Sequence, residues 1–506
     1  VLDVAVVGAG VGGCYCAYRL VGTRPGTGIA LFEQTHRVGG RLWSEPVRAA
    51  PDLIADLGAM RLHHGLRSVL ALIRHLGLAP ELTPFTIGRR ENLVHLRGAA
   101  TRLRDVRRTP DDLIAEAAER LVPGFAELRR LQHEAQARRD PHRADSLLET
   151  FRDRRDRTRL ARRPLGELTW SQALEFALGA TAVAFIHDAG GYDVHYSDEN
   201  AAARLDLIFR TPPDAEYLTL RRGMQSLTDA LHAEFTAAAG VTHTGRRLVR
   251  VDKEPGEDHY RLTFAVHVDG RPTGEHTRTW ARSVVLALPP EALRRLDPDG
   301  LPLTRRLRPA LNAIEPVPAF KLFLVYPKPW WWRLGITQGR STTDTALRQL
   351  WYGGTCSPTR ASGPALILAA YPSGDSVRAW ASRQDDLPHA ETAWAPSEAM
   401  VDHAHGLLAR MHGMPDLERP LSACWADWSR PPHSAAWHVR RPGHDLSDLG
   451  PRARQPIPDE RVHVVSDCWT PDPGSIEGTL ASAEDVLCEC FGLRPPPWYA
   501  GSPSPT

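Results

Sequence analysis

The strongest constraint on the fold lies in the first 33 residues. The apolar run Leu2–Val7 is followed by Gly8-Ala-Gly10-Val-Gly-Gly13, a helical pattern over residues 14–20 and a second apolar run, Ile29–Phe32. Short apolar runs bounded by turn residues read as buried strands, so the order is strand, glycine turn, helix, strand. Gly8 permits the tight turn, Gly10 lets backbone approach a pyrophosphate, and Gly13 allows close helix–strand packing. The helix N-terminus then faces the negative phosphates. Twenty residues after Gly13, Glu33 closes the second strand. There its carboxylate can accept hydrogen bonds from both ribose hydroxyls. This combination predicts a dinucleotide-binding βαβ unit.

Those residues do not separate FAD from a nicotinamide cofactor. The next segment, Arg37-Val-Gly-Gly40-Arg41, makes a second glycine loop able to approach phosphates, with two arginines as counter-charge. No nicotinamide-site signal accompanies it.

At 506 residues the chain is too long for one ordinary domain, and two or three are expected. The formal net charge of +2 argues against a nucleic-acid or membrane-surface role driven by bulk charge. No run of about 18 apolar residues predicts a transmembrane helix. The chain opens directly in a strand pattern, without a signal-peptide pattern, and a cytoplasmic location is expected. Seven cysteines, odd in number and scattered, read as reduced thiols. The CxC pairs Cys14/Cys16 and Cys488/Cys490 lack further ligands at zinc spacing, so no metal is expected. Of 62 basic residues only Lys253, Lys321 and Lys328 are lysines, a bias typical of GC-rich coding that makes a lysine in a motif notable.

Residues 105–163 are dense in Arg, Glu, Ala and Leu at helical spacing, and a helical insertion is expected through about Thr211. Its arginine run 152–163 reads as a solvated helix face. Residues 241–266 alternate as a strand pair carrying Leu248, and 283–288 read as a buried strand. Phe320–Tyr326 and Ala365–Ala370 are further strands, 431–450 is loop-rich, and the tail after Pro495 is expected to fray.

Several stretches resemble the flavin amine oxidase family, which includes monoamine oxidases and L-amino acid oxidases. The glycine opening, Glu33 and the Arg37–Arg41 loop resemble its FAD signature. Asp56-Leu-Gly58-Ala59-Met60-Arg61 is close to the L-amino acid oxidase form of the next motif. Residues 220–227, 284–290 and the lysine strand 319–330 follow in the family's order, while 339–344 and 369–375 resemble L-amino acid oxidases specifically. Residues 474–483 resemble the helix that begins at the flavin pyrimidine ring. The resemblance spans residues 4–490 and is weakest in the helical insertion.

It implies an α/β architecture: a Rossmann-type FAD-binding domain assembled from discontinuous segments (1–61, 222–310 and 455–495), a mixed-sheet substrate-binding domain (62–104 and 311–454) and a helical domain (105–221). It also implies that Gly58, Ala59, Met60, Arg61, Leu248, Asp467 and Ile476 lie along FAD. Arg61 matches the carboxylate-binding arginine, a planar fork suited to bidentate contact. Tyr371 matches a second carboxylate donor, Gly474 a backbone carbonyl at the substrate amine, and Lys321 the lysine that bonds a water near flavin N5.

The departures also carry expectations. Asp467 stands where the family has a longer glutamate, which leaves that residue's hydrogen bond to the cofactor open. Ser475 replaces an aromatic of the substrate cage and widens the pocket unless Trp437 or Trp469 fills the space; Trp428 is a further wall. No cysteine lies between Ser429 and Arg440, so FAD is expected to be non-covalent. His187, His195, His433 and His438 are possible bases that spacing does not separate. The expected reaction is oxidation of the Cα–N bond of an L-α-amino acid to an imino acid, then 2-oxo acid and ammonia, with O2 reduced to hydrogen peroxide. The alternatives are an amine oxidase, a tailoring oxidase of a larger C–N substrate, a decarboxylating monooxygenase giving an amide, and a flavoprotein without turnover. Substrates are small amino acids or amines; nucleic-acid and membrane partners are not expected, and a homodimer is.

Overall fold

In the computed structural model, which describes residues 1–23, 26–193, 198–355, 362–383 and 396–499, the strand Leu2–Val7 occupies the middle of a seven-stranded sheet. It pairs in parallel with Ile29–Phe32 on one side and with the inner end of the long strand Arg271–Leu286 on the other. Val241–His243 extends the parallel part at one edge, and Val462–Val464 pairs with Val284 to Leu286. The outer part of Arg271–Leu286 folds back as an antiparallel meander with Tyr260–Val268 and Arg246–Lys253.

Alternate residues of Leu2–Val7 serve opposite cores, as the period of two in a strand requires. Val4 and Val6 pack against the helices Val11–Thr23, Ser226–Ala237 and Ile476–Phe491. Ala5 and Val7 pack against the meander and the helix Leu303–Asn312. A parallel strand buried on both faces must be apolar throughout, which is why these short runs were legible. Gly13 is required by the first helix: a Cβ there would lie 1.8 Å from the Gly8 carbonyl oxygen.

A second seven-stranded sheet runs in the order Ser422–Asp427, Phe320–Tyr326, Ala365–Ala370, Gln349–Thr355, Gly339–Thr343, Leu93–Leu96, Ala99–Arg102. Its pairs are antiparallel except for Gly339–Thr343 with Leu93–Leu96, so the sheet is mixed. Phe320, Leu322, Leu324 and Tyr326 face Trp331, Trp380 and the helix Glu398–Met411. Phe323 and Val325 face the other way, toward Trp43, Ala55, Leu57 and Met60. Lys321 falls at a position of that second face and is 2% exposed, a buried charge in an apolar alternation.

The helices from Pro110–Leu121 to Ala201–Arg210 enclose their own core, in which Phe151 and Phe209 stack at 4.1 Å. The α/β class with a mixed sheet and a helical insertion therefore matches the expectation from sequence.

Four local readings need correction. The first helix starts at Val11, because the glycine turn is already helical. The loop-rich stretch contains the strand Trp437–Arg440, paired with Ile314–Val317, and the start of the helix Leu446–Arg454. In the arginine run, Arg155 turns inward to an ion pair with the nearly buried Asp206 rather than to water. The described part of the tail is packed: Trp498 stacks on His75 at 5.2 Å and meets Tyr15 edge-on at 6.2 Å, since a large aromatic removes more apolar surface there than a frayed end could.

The six described cysteines are free thiols, and Cys356 lies outside the described residues. Among the described residues no helix is long and apolar enough to cross a membrane.

Gly13→Ala is expected to destabilise the protein by about 1–3 kcal/mol, the usual range for overpacking. A chemical-denaturation curve unchanged from wild type would show that helix and glycine turn separate without cost.

Candidate functional site

A cavity of about 310 Å³ opens beside the C-terminal end of Leu2–Val7 and extends between the two large sheets. Its floor at the first strand is Gly8 and Gly10, with Leu248 of the meander at the side. Gly8 has φ +99°, and a Cβ there would lie 2.3 Å from the Ala287 carbonyl oxygen. Glu33 lines the same end. One carboxylate oxygen accepts the Ala9 N–H at 2.7 Å, and the other accepts Thr35 N–H at 3.0 Å and its hydroxyl at 2.9 Å. The glycine turn is thus fastened to an acidic residue that itself lines the cavity.

The second glycine loop lies directly on the first. Gly39 N–H donates to the Ala9 carbonyl at 2.8 Å, and a Cβ on Gly40 would come 2.9 Å from Gly10 Cα. Only bare backbone permits this approach. Arg37, expected as counter-charge, is not among the residues that line the cavity. Its guanidinium donates to the carbonyls of Gly40 (2.6 Å) and Leu42 (2.9 Å) and lies over Trp43, bracing the loop from behind. Arg41 does line the cavity, but is paired with Asp467 at 2.5 Å.

Asp467 is 1% exposed and its second oxygen accepts the Gly474 N–H at 2.7 Å. Burial raises a carboxyl pKa, yet here Arg41 and the hydrogen bonds outweigh it and hold Asp467 below the usual range. The shortened acid therefore ties the Arg37–Arg41 loop to the turn before the last helix. Gly474 adopts φ +72°, and Ser475 caps the helix Ile476–Phe491, accepting Gly478 N–H at 2.9 Å. The serine hydroxyl is used by the backbone, and Trp437 approaches Gly474 closely enough that a Cβ there would touch its own at 3.5 Å. Trp437 and Trp428 both line the cavity, as do Gly474, Ser475 and Ile476. Trp469 does not; its indole donates to the Ala310 carbonyl in the core of the first sheet.

The turn from Asp56 to Arg61 joins these parts. Gly58 and Ala59 line the cavity, and their N–H groups donate to Trp43 and Arg41 carbonyls at 3.1 and 3.0 Å. Trp428 donates to the Leu57 carbonyl at 2.8 Å. Lys321 Nζ donates to the carbonyls of Asp56 (2.8 Å) and Gly58 (2.6 Å), with the Tyr371 ring 4.9 Å away. Burial pushes the Lys321 pKa down to about 7, opposed by Asp56 and assisted by Arg61. Met60 is buried away from the cavity, against the second sheet.

Arg61 stands one layer behind the cavity wall, beyond Tyr371. Its guanidinium lies over Trp351 at 4.8 Å, Tyr217 at 5.5 Å and Phe85 at 5.8 Å, and donates to the Tyr192 hydroxyl at 3.1 Å. No ion pair among the described residues includes it. A cation held by rings and one hydroxyl, with no carboxylate to repay its desolvation, is poised for an anion.

Of the candidate histidines, His433 and His438 line the cavity. Burial pushes His433 down to about 3, and it packs against Trp428 at 4.6 Å. His438 Nε2 is 2.8 Å from Glu291. His187 sits beside Asp188 in the helical insertion, and His195 lies outside the described residues. Sequence reasoning passed over Tyr192, Trp351, Phe85 and Tyr217 as members of the Arg61 cage. Tyr192 carried no local signal, because its place depends on how the insertion closes on the second sheet. Trp351 pairs in register with Arg340 of the recognised 339–344 stretch, a contact that the sequence alone does not give.

The bare-backbone cradle of Gly8, Gly10 and Gly40, fastened to Glu33, has the form of a phosphate-binding site. A family model described as flavin containing amine oxidoreductase matches residues 11–489. Aplysianin-A of Aplysia kurodai is 26% identical over 97% of this chain and 90% of its own length. The flavin-dependent L-tryptophan oxidase RebO of Lentzea aerocolonigenes is 27% identical, covering 95% of this chain and 96% of its own. Putrescine oxidase bound to putrescine superimposes with a TM-score of 0.66 at 18% identity, over 97% of this chain and 99% of that one, a likeness of fold.

Asp467→Asn should weaken flavin retention about 10-fold, since an amide has one acceptor oxygen and cannot hold both the Arg41 guanidinium and the Gly474 N–H. Fluorescence of flavin released on dilution measures this, and wild-type retention would show that the Arg41 tie is dispensable.

Proposed function

The chain belongs to the flavin-containing amine oxidoreductase family, and within it we propose that the protein is an FAD-dependent oxidase of L-α-amino acids. The observation that carries this reading is Arg61: a half-buried guanidinium in an aromatic cage, without an ionic partner among the described residues, next to Tyr371 and Lys321. An amine substrate has no group for that charge. An α-carboxylate has two oxygens that match the fork.

Non-covalent FAD is proposed on three features: Glu33 at the ribose position, the paired glycine loops, and the lack of a cysteine between Ser429 and Arg440. When bound, the flavin accepts two electrons from the substrate and returns them to dioxygen. The protein's own residues do the rest. Arg61 and Tyr371 fix the carboxylate, with the Tyr371 phenol kept neutral by burial and hence a donor. The Gly474 carbonyl accepts from the substrate amine, which must be neutral before its Cα–H bond breaks. Loss of the Cα hydride and one N–H proton leaves an imino acid, which water converts to a 2-oxo acid and ammonia. Trp428 and Trp437 exclude solvent from the reacting atoms.

Lys321 uses two N–H bonds on carbonyls and keeps its third position for the cavity. Below about pH 7 that position carries a proton it can give as dioxygen is reduced to hydrogen peroxide; above it, a lone pair remains. Flavin reoxidation should therefore slow as pH rises through about 7. Lys321→Met should be slow and insensitive to pH in the same window. A wild-type rate that does not vary there would remove the proton-donor role.

Arg61→Ala is expected to raise KM for L-amino acids by about 10–150-fold, the span of a charged hydrogen-bond loss, with little effect on amines. The decisive assay is anaerobic mixing of the flavin-loaded protein with panels of L-amino acids and amines, following the visible flavin absorbance. Bleaching by certain L-amino acids supports the proposal. Bleaching by amines alone would make Arg61 structural and the enzyme an amine oxidase.

A further inference from the structure

The helix Ala180–Gly190 of the insertion ends at Gly191, and the next residue reaches the Arg61 cage. Tyr192 accepts an Arg61 N–H at 3.1 Å and meets the Tyr371 ring edge-on at 5.7 Å and 81°. Its hydroxyl thus lies among the groups expected to hold a substrate carboxylate. The guanidinium of Arg340 lies 6.0 Å from its ring on a further side.

The position is clamped by both flanking residues. The Gly191 carbonyl accepts from Gln349 at 3.1 Å, and with φ +80° this residue admits no side chain, since a Cβ would lie 2.5 Å from Gln349 Cγ. The Asp193 carboxylate pairs with Arg348 at 3.1 Å and accepts the Ser376 N–H at 3.1 Å. Arg348, 3% exposed, also donates to the His187 carbonyl at 2.6 Å. These bonds fasten the insertion to the second sheet on either side of one tyrosine. A clamp of this kind places a hydroxyl accurately, which surface packing of the insertion alone would not require.

We propose that Tyr192 is a third residue of the substrate-carboxylate site, taking an N–H from Arg61 and giving its own proton to the carboxylate. This rests on the amino-acid reading above. A hydroxyl can accept from a guanidinium and donate to an anion at once, and each bond strengthens the other. Burial alone would raise the phenol pKa, but Arg61 and Arg340 outweigh it and hold it below the ordinary value, which makes the hydroxyl a stronger donor. With Arg61 and Tyr371, the carboxylate then has donors from three separate chain segments. The helical insertion becomes part of substrate recognition through this one side chain.

The test uses the flavin-loaded protein and simple carboxylates without an amine: acetate, propionate and benzoate. Binding is followed by perturbation of the flavin spectrum and counted per bound flavin, so partial misfolding does not imitate weaker affinity. Tyr192→Phe keeps the ring against Tyr371 and Arg340 and removes only the hydroxyl. It is expected to weaken carboxylate binding about 10-fold and to raise amino-acid KM by a similar factor, with kcat changed far less. Binding by Tyr192→Phe at wild-type strength, with Arg61→Ala still losing it, would overturn the Tyr192 assignment and leave the amino-acid reading standing. Tighter binding by Tyr192→Phe would also overturn it, since the hydroxyl would then compete with substrate for Arg61. Failure of the wild type to bind any of the three would overturn the carboxylate site and Tyr192's part in it together.

Discussion

The bonds from Lys321 Nζ to the carbonyls of Asp56 and Gly58 are the contact on which the site's geometry depends. They cross from the second sheet to the turn between Ala50–Asp56 and Leu62–His63, and that turn touches nearly every other part. Its N–H groups hold the Arg41 and Trp43 carbonyls, its Leu57 carbonyl takes the Trp428 indole, and it ends at Arg61. A buried lysine is costly unless its donors are met. Two carbonyls at hydrogen-bond distance meet two of them, and the cost appears instead as a lowered pKa. The same contact therefore locks the second sheet to this turn and leaves a titratable amine beside the cavity.

Charge compensation follows a gradient across the cavity. At the glycine-loop end, Arg41 is neutralised by Asp467 and Arg37 is absorbed by loop carbonyls. Farther in, Arg61 meets rings and a hydroxyl, and Lys321 meets carbonyls and the Tyr371 ring, with no ion pair at either among the described residues. Positive charge is neutralised where it supports backbone and left without an ionic partner among the described residues at Arg61. The departure at Asp467 belongs to the same logic: a shorter acid reaches Arg41 and the Gly474 N–H.

Much of this was legible before any coordinates. Leu2–Val7, Ile29–Phe32, Phe320–Tyr326 and Ala365–Ala370 have the bounds the apolar runs indicated, because a strand buried on both faces is apolar almost throughout, Lys321 being the exception. The glycines were legible for a related reason: at Gly8, Gly13 and Gly40 a Cβ would collide with backbone. Local motifs failed where a side chain's partner lies far along the chain. Arg37 and Arg41 looked alike in their loop, yet one braces carbonyls and the other crosses 426 positions to Asp467. Ser475 read as a vacancy in a wall, but its hydroxyl closes the first turn of a helix.

The sequence alone carried the βαβ unit, the lysine strand, the Asp56–Arg61 motif and the family, since each rests on residue types that local sterics, burial or motif order demand. The tertiary structure decided which charges are neutralised, which aromatics wall the cavity and that Tyr192 of the insertion meets Arg61. These depend on contacts between segments more than a hundred residues apart, as with Arg61 and Tyr192, 131 positions from each other. The energy of such a contact belongs to the pair and its surroundings, so neither segment records it alone.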